Sequence, residues 1–269
     1  MTSANPTVFT PPLAIGLLVQ QWRKRRRISQ MQLAFDAGLS TRHLSFIETG
    51  RSRPSPEVLI AIARELEVPL RERNVMLMAA GYAPRYAHEN LDAPDMRPVH
   101  AALTRLLEAH HPYPGIVLDR HWNVVLANPA AMALASVLPE SLRTPTINMY
   151  RASLHPEGLA RYTRNLENWA PHLLAGLRRA VEGSGDPELI ALEAEVLAYP
   201  GMREVSRRDP SGQGLLILCH LDLPMASLSM FSTVTSFGTP QDVTLQELCI
   251  ELFYPADADS ETVMRSLTT

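Results

Sequence analysis

The first 81 residues are divided at short intervals by residues that begin and end α-helices. Glycines at positions 38 and 81 each follow an apolar repeat of helical spacing, where glycine commonly ends a helix. Three serines precede such repeats, and serine is a preferred N-cap residue: Ser29, Ser40 and Ser55. These signals predict five short helices between Leu13 and Gly81, and therefore a compact all-helical N-terminal domain.

The second and third predicted helices are separated by a three-residue turn, Gly38-Leu39-Ser40. Glycine supplies the left-handed backbone that ends the second helix, and serine begins the third. The small side chain of Ala34 allows the two helices to approach closely, and Leu44 and Ile47 form the buried side of the third. This spacing is typical of a helix-turn-helix.

The outward side of the third helix carries chemically mixed side chains, namely Thr41, Arg42, Ser45 and Phe46, with His43 at its edge. Arg42 can donate two hydrogen bonds to guanine O6 and N7, and the two hydroxyls can bond base edges or phosphate. Phe46 lies outside the apolar stripe and can pack against a thymine methyl. The set favours a helix that lies in the DNA major groove, while an exposed helix of an ordinary bundle has the same periodicity.

Residues around this helix also favour DNA as the partner. Gln30 begins the second helix, where its side chain and the helix N-terminus can hold a phosphate. Arg51 and Arg53 follow the third helix and can contact the flanking phosphates. Residues 1–86 carry 12 basic and 6 acidic side chains, a net charge of +6, whereas residues 87–269 carry 13 and 22, a net charge of −9. This asymmetry indicates that the first part of the chain meets a polyanion.

A close resemblance to the lambda-repressor-like, Cro/C1-type helix-turn-helix family is carried by SQMQLAFDAGLSTRHLSFIETGRSRPSPEVLIAIARELEVP. The elements SQ-x-x-LA, AGLS and IE-x-G-(R/K)-x-x-P fall in the family's places without a gap. The resemblance implies that the third helix enters the major groove, with Thr41, Arg42 and Phe46 at base-contacting positions and Gln30 at a phosphate-contacting one. One such unit makes few contacts, so we expect a homodimer on double-stranded operator DNA, with half-sites about 10 bp apart or a multiple of that.

The chain changes in character after the fifth helix. Two prolines and the lack of an apolar period make Ala83–Arg97 a predicted linker. Beyond it we predict a helix over 99–109, a hairpin in GIVLDRHWNVVLAN, further helices, and strands in GLLILCHL, ASLSMFSTVTSF and DVTLQELCIELF. The long helical pattern over 156–183 should kink or break at Pro171. This order fits an antiparallel sheet covered on one face by helices, so the predicted class is α+β.

Several side chains of this second part are candidate ligand contacts. Asn165, Trp169 and His172 share one face of the long helix and could hold a ligand head while apolar walls take its tail. Arg151 and Arg161 are alternative partners for a carboxylate. Strand residues are added to this set: Met230, Phe231 and Thr233, next to Ser232 and Thr235.

Adaptable side chains are abundant in the same region. Methionine fills irregular space and tolerates variable ligands, although an ordinary core position is the preferred interpretation for most of these residues. They are Met132, Met149, Met202, Met225 and Met230, together with Trp169, Phe231 and Phe237.

A second resemblance, to the MmyB-like regulators of bacteria, is carried by HPYPGIVLDRHWNVVLANPAA and FGTPQDVTLQELCIELFYPAD. It spans Arg97 to Leu267 and implies a PAS-like domain with a five-stranded antiparallel sheet. It also implies a small apolar ligand, with fatty acids as the first class to expect. The predicted organisation is a disordered or extended N-terminus over 1–12, a DNA-binding domain over 13–82, a linker over 83–97 and a ligand-binding domain over 98–269.

Other classes of function find little support. No His, Cys or carboxylate spacing matches a metal site, and no nucleophile or nucleotide motif occurs, so we expect neither a cofactor nor catalysis. With no membrane-spanning run, no signal peptide and only Cys219 and Cys249, a cytoplasmic protein with reduced cysteines and no membrane partner is expected. Two alternatives remain: an enzyme with a DNA-binding head, and a regulator whose second domain is a protein-interaction or dimerisation module without a ligand.

Overall fold

A computed structural model describes residues 15–208 and 216–266 of the chain. These residues form two compact units. The first comprises the residues up to His88 together with Gln241–Val243, and the second comprises Glu89–Pro240 and the residues from Thr244 onward. The predicted N-terminal segment 1–12, the helix position Leu13 and the first two residues of the third predicted strand lie outside the described residues.

The first unit is built from the predicted short helices. Each of the three serine caps accepts a hydrogen bond from the backbone N–H three residues on, at 3.1 to 3.4 Å. Gly81 adopts a φ of +78° after the last helix, as a glycine terminator should. The helices are α1 (Ile15–Arg25), α2 (Gln30–Asp36), α3 (Thr41–Glu48), α4 (Pro56–Glu65) and α5 (Leu70–Ala79).

Apolar side chains from the helices share one core in this unit, including Trp22, Leu33, Leu44 and Ile62. Helix α1 crosses the end of α3 at very short range. A Cβ placed on Gly16 would lie 2.6 Å from the carbonyl oxygen of Glu48, so the crossing requires glycine.

The beginning of the predicted linker is bonded to α5. Asn74 is buried, and its side-chain oxygen accepts hydrogen bonds from the backbone N–H groups of Arg85 and Tyr86 at 2.9 and 3.0 Å. Its amide nitrogen donates to the Tyr86 carbonyl at 2.8 Å. Residues 85 and 86 therefore belong to the helical unit, because their backbone groups are satisfied by one of its side chains.

The second unit is organised around a five-stranded antiparallel sheet with the order β2-β1-β5-β4-β3. Its strands are β1 (Gly115–Leu118), β2 (Val124–Ala127), β3 (Cys219–Asp222), β4 (Ser227–Ser236) and β5 (Cys249–Pro255). The first two form the predicted hairpin, and β5 lies in the centre between β1 and β4. The α+β class and the predicted order of two strands, helices and three strands are confirmed.

Helices connect and cover these strands. Before β1 and between β2 and β3 they are α6 (Arg97–Ala109), α7 (Pro129–Ala135), α8 (Glu140–Arg143), α9 (Met149–Leu154), α10 (Leu166–Ser184), α11 (Pro187–Leu197) and α12 (Met202–Val205). Toward the end of the chain they are α13 (Val243–Glu247) and α14 (Ala258–Ser266). Two short 3-10 helices are also present, Pro94–Met96 and Leu159–Tyr162.

Helices lie on both faces of the sheet, not on one face as expected. Alternate residues of a strand point to opposite faces. Ile250 of β5 packs with Leu103 and Leu107 of α6, whereas Glu251 and Phe253 point to the face where α9 and α10 lie. The second face matters for function, because a cavity opens between it and these helices.

Two local predictions were wrong. The segment DVTLQELCIELF is predicted as one strand, but its first part forms α13 and only its second part belongs to β5, since a run of five residues is too short for its period to discriminate. The long helix is not broken at Pro171, because α10 continues through this residue from 166 to 184. The irregular part lies earlier, where residues 159–162 form a 3-10 turn instead of the start of the helix.

Candidate functional site

The turn between α2 and α3 has the geometry of a helix-turn-helix. Gly38 adopts a φ of +69°, and the N–H of Leu39 donates to the carbonyl of Ala34 at 2.7 Å. Leu44 and Ile47 are completely buried in the core of the unit. The opposite side of α3 is therefore held outward.

A buried charged network fixes the end of α3. Glu48 is only 6% exposed, and it accepts hydrogen bonds from Arg23 Nε and Nη2 at 2.7 and 2.8 Å and from Gln30 Nε2 at 2.9 Å. The hydrogen bond to the Glu48 carboxylate raises the pKa of Arg23, which keeps the guanidinium charged. Arg23 also donates to the carbonyl of Ile28 at 3.1 Å. One network thus joins α1, α2 and α3.

The outward surface of α3 will be called the α3 face: Thr41, Arg42, His43, Ser45 and Phe46. Thr41 and Arg42 are exposed, and the other three are half-buried. The guanidinium carbon of Arg42 lies 5.3 Å from the centre of the Phe46 ring, and that of Arg51 lies 6.0 Å from it. The Phe46 ring is thus flanked by two cations, a stabilising arrangement that also concentrates positive charge on this face.

Three candidate phosphate contacts have different surroundings. Arg51 is exposed, and its guanidinium carbon lies 6.0 Å from the centre of the Phe46 ring, so the guanidinium can reach a backbone beside α3. Arg53 donates to the carbonyl of Gly81 at 3.2 Å and lies 4.6 Å from the ring of Tyr82, and Gln30 donates to Glu48. The side chains of Arg53 and Gln30 therefore also hold parts of the unit together, and their contacts with phosphate stay predictions.

Helix α2 carries two exposed apolar residues that the sequence reading missed. Phe35 is 80% exposed and Met31 is 71% exposed, one helical turn apart. The signal was present in the sequence, because both fall outside the stripe of Leu33, Ala34 and Ala37, as Phe46 falls outside its own stripe.

The second unit contains a cavity in two adjacent parts. The larger part, called the chamber, has a volume of about 470 Å³ and lies between α9, α10, β4 and β5. The smaller part, called the arm, has a volume of about 80 Å³ and lies between β1, β2 and α7. Met149, Ser153, Met230 and Phe253 line both parts, so the two meet at a common wall. The arm is lined by apolar side chains with the single exception of Ser153.

A carboxyl group lies in the wall of the chamber. Glu251 of β5 accepts a hydrogen bond from the hydroxyl of Ser232 of β4 at 2.6 Å. Burial raises the pKa of Glu251, and the bond from Ser232 partly opposes that effect. Burying a carboxyl group costs free energy, so its presence in this wall favours a binding site over a packing defect.

Polar groups of α9 and α10 face the chamber as well. Tyr150 is 4% exposed, and burial, with a smaller effect of Glu251, raises the pKa of its hydroxyl. A Cβ placed on Gly176 would lie 3.3 Å from the Tyr150 hydroxyl and 3.9 Å from a terminal nitrogen of Arg179, so glycine leaves both groups room. Burial and the charge of Arg179 lower the pKa of His172, which favours the neutral imidazole.

Four predicted ligand contacts line the chamber: Trp169, His172, Met230 and Phe231. The ring of Phe231 is stacked on Tyr254, with 5.4 Å between the ring centres, so this residue contributes to the wall from the side. The remaining three come from α10 and β4, as the shared face of the long helix and the central strand predicted.

The other four predicted contacts do not line the cavity. Arg151 is paired with Glu195, at 2.7 Å between Nη2 and Oε2, and Arg161 is exposed with its guanidinium 4.9 Å from the Tyr162 ring. Asn165 donates to the carbonyl of Leu218 at 2.8 Å and accepts from the N–H of His220 at 3.0 Å, so it joins α10 to β3. Thr233 is exposed, one residue out of phase with Ser232 on β4. These placements correct the four predictions.

Sequence reasoning missed Tyr150, Arg179 and Glu251. Arg179 was within reach, because it lies seven residues after His172 and so repeats the same helix face. Glu251 interrupts the apolar pattern of CIELF in a predicted central strand, which is an unusual place for a carboxyl group.

Within residues 15–208 and 216–266, no three His, Cys, Asp or Glu side chains gather as metal ligands, and no helix is long and apolar enough to span a membrane. Both cysteines are free, and burial raises the pKa of each thiol to about 12. They are therefore protonated and unreactive at neutral pH.

Comparison with known families agrees with both units. Residues 19–73 match the helix-turn-helix family, so the first unit is of a DNA-binding class. Residues 99–267 match the MmyB-like transcription regulator ligand binding domain, and because this match covers more than half of the chain, the chain belongs to that family. It is a DNA-binding transcriptional regulator with a ligand-binding domain. No curated protein matches the sequence.

Proposed function

We propose that this protein is a one-component sensor in which a small apolar acid, with fatty acids as the first class, binds the chamber and changes the affinity of the α3 face for operator DNA. In this proposal the chain acts in the cytoplasm, with a DNA-binding domain over 13–82, a linker over 83–97 and a PAS-like ligand-binding domain over 98–269. The observation that carries it is that a chamber containing cationic and polar groups lies next to an apolar arm and shares four lining residues with it.

The division of the cavity suits a ligand with two ends. The volume of the chamber, about 470 Å³, falls within the range of roughly 300–1,000 Å³ that is usual for small-molecule sites. Arg179 makes no ion pair with the described residues, and it is the group that can hold a carboxylate, helped by the hydroxyl of Tyr150. The apolar arm would then receive part of the ligand's chain.

The α3 face supports binding to bases in the major groove. Arg42 can pair with guanine, while Thr41 and Ser45 offer hydroxyls and Phe46 offers an apolar surface for a thymine methyl. Arg51 would bind phosphate and fix the position of the helix on the duplex. A homodimer on an inverted repeat is part of the proposal, because two such faces are needed for adequate specificity.

Ligand binding can act only through a difference in affinity between conformations that bind DNA well and poorly. No contact between the two units is needed for this statement, which is thermodynamic.

The test is extraction of the purified full chain with organic solvent, followed by mass spectrometry of the extract. A stoichiometric apolar acid supports the sensor, and its rebinding to the stripped protein should change the emission of Trp122 and Trp169, which line the chamber. An extract without a bound acid, together with no response to added fatty acids, would favour the protein-interaction module instead.

A further inference from the structure

The chamber holds a hydrogen-bond acceptor that the proposed acid leaves unused. One carboxylate oxygen of Glu251 accepts from Ser232 at 2.6 Å, and the other accepts no hydrogen bond from the described residues. No side-chain oxygen among those residues is both buried and without a partner, so this second oxygen is open to the space of the chamber.

Donors surround the same end of the chamber. Tyr150, Arg179 and Glu251 all line the chamber, where the charge of Glu251 raises the pKa of Tyr150 and the charge of Arg179 lowers it. The Gly176 position is within 4 Å of both the hydroxyl and a guanidinium nitrogen of Arg179. A carboxylate held by these donors would bring its first carbon atoms close to Glu251.

An unsubstituted fatty acid fits this arrangement poorly. Its carboxylate uses Arg179 and Tyr150, but its methylene groups would cover the open oxygen of Glu251 without offering it a donor. Covering an unsatisfied hydrogen-bond acceptor with apolar atoms is costly, whereas a donor on the ligand would satisfy it.

We propose that the ligand of this chamber carries a hydrogen-bond donor, a hydroxyl or an amino group, within a few atoms of its carboxylate, and that Glu251 accepts it. Arg179 and Tyr150 bind the carboxylate, Glu251 binds the donor, and the apolar arm receives part of the chain. The inference rests on the proposed function and narrows its ligand from simple fatty acids to hydroxy or amino acids with an apolar chain.

The test compares matched straight-chain acids of eight to fourteen carbons, each unsubstituted, 3-hydroxylated or 3-aminated. Binding to the solvent-stripped full chain at neutral pH is followed through tryptophan emission, to which Trp122 and Trp169 contribute from the chamber wall. At the best chain length, the hydroxy or the amino acid should bind at least about tenfold more tightly than the unsubstituted acid.

A variant links this preference to Glu251. Glu251→Leu removes the acceptor, so the preference should fall to about twofold or less while the unsubstituted acid binds at least as tightly as before. Ser232→Ala, which keeps the carboxyl group, should retain the preference for the substituted acid.

Three results would overturn the proposal. Equal affinity of the wild-type protein for all three acids would show that the ligand needs no hydrogen-bond donor, while the proposed function would still hold. If Glu251→Leu still prefers the hydroxy or amino acid over the unsubstituted one, another group accepts the hydrogen bond from the ligand. A lack of binding by any acid removes the proposed function and this inference with it.

Discussion

The two units differ in how the hydrogen bonds of their buried polar groups are satisfied. In the first unit the buried carboxylate of Glu48 accepts three hydrogen bonds from protein side chains, and the functional groups lie outside on the surface. In the second unit Tyr150 is buried with a hydroxyl that faces a cavity. Only one carboxyl oxygen of Glu251 accepts a hydrogen bond from the described residues. Buried polar groups are normally paired. The first unit is therefore complete as folded, while the second presents a site that a ligand completes.

The largest expected effect concerns Glu48, whose hydrogen bonds join the helices of the first unit. Glu48→Ala leaves the largely buried guanidinium of Arg23 without its carboxylate partner, so the first unit should lose about 3–5 kcal/mol of stability. Hydrogen exchange measured on peptides from residues 15–80 would report the loss. Glu57→Ala, an exposed glutamate in the same unit, is the matched control and should cost far less. Similar exchange in the two variants would mean that the network does not hold α3.

Helix α10 carries two neighbouring arginines, of which only Arg179 lines the chamber. Arg179→Ala should weaken binding of the acid by ~1.5–3 kcal/mol, the value of a hydrogen bond to a charged group. Arg178→Ala is the control, because Arg178 lies outside the chamber and is paired with Glu193 at 3.4 Å. The measurement is a fluorescence titration of the stripped full chain. Equal losses in the two variants would exclude Arg179 as the specific partner of the carboxylate.

The α3 face is tested with Arg42, and Arg64 of α4 provides the control. Arg42→Ala should weaken operator binding by ~1–3 kcal/mol and relax the preference at one base position. Arg64→Ala removes an exposed arginine of α4 that is paired with Glu65, and should leave the base preferences unchanged. Selection of binding sites from a randomised operator library would show both results. Unaltered selectivity in Arg42→Ala would contradict the assigned role.

A smaller effect separates binding from stability in the chamber. Because burial raises the pKa of Glu251, the ionised group opposes folding, and Glu251→Gln should stabilise the ligand-free second unit by roughly 0.5–2 kcal/mol at neutral pH. The stability of the wild-type second unit is intact below the ordinary glutamate pKa, where Glu251 is protonated in both the folded and the unfolded chain. This stability is lost as the pH rises through the elevated pKa of the folded state. The gain in the variant should therefore vanish in acid. Denaturant titrations across this pH range provide the test, and a gain that does not depend on pH would point to packing.

The smallest effect distinguishes Arg51 from Arg53. Arg51→Ala should make the log–log dependence of DNA affinity on salt shallower by about one unit, whichever sequence is bound. Arg53 is bonded to the Gly81 carbonyl and covers Tyr82, so Arg53→Ala should mainly loosen the end of α5. Binding isotherms at several salt concentrations would compare them. A larger slope change in Arg53→Ala would reverse these two assignments.

The sequence was more informative for one region than for the other. The α3 face comes from one continuous segment whose serines and glycines mark each helix end, so its residues could be named from local rules. The chamber draws its polar groups from α9, α10 and β5, and no local rule states which faces of these elements meet. Trp169 and His172 followed from a helical period, whereas Glu251 and Tyr150 required knowledge of the packing.

The inward or outward direction of a polar side chain was the least predictable property. Arg151, Asn165, Gln30 and Arg53 were chosen for groups suited to a ligand or to phosphate, and each is held by a partner elsewhere in its own unit. Residue type shows what a side chain can bind, but competing partners supplied by the fold decide what it does bind.

The central claim is that occupancy of the chamber changes DNA binding. The most direct test is to measure the operator affinity of the stripped full chain with and without saturating extracted ligand, in wild type and in Arg179→Ala. We predict that the ligand changes the wild-type Kd by about fivefold to 150-fold, the usual range of allosteric coupling, and has much less effect on the variant. A ligand that binds the chamber while the operator Kd stays the same would contradict the account.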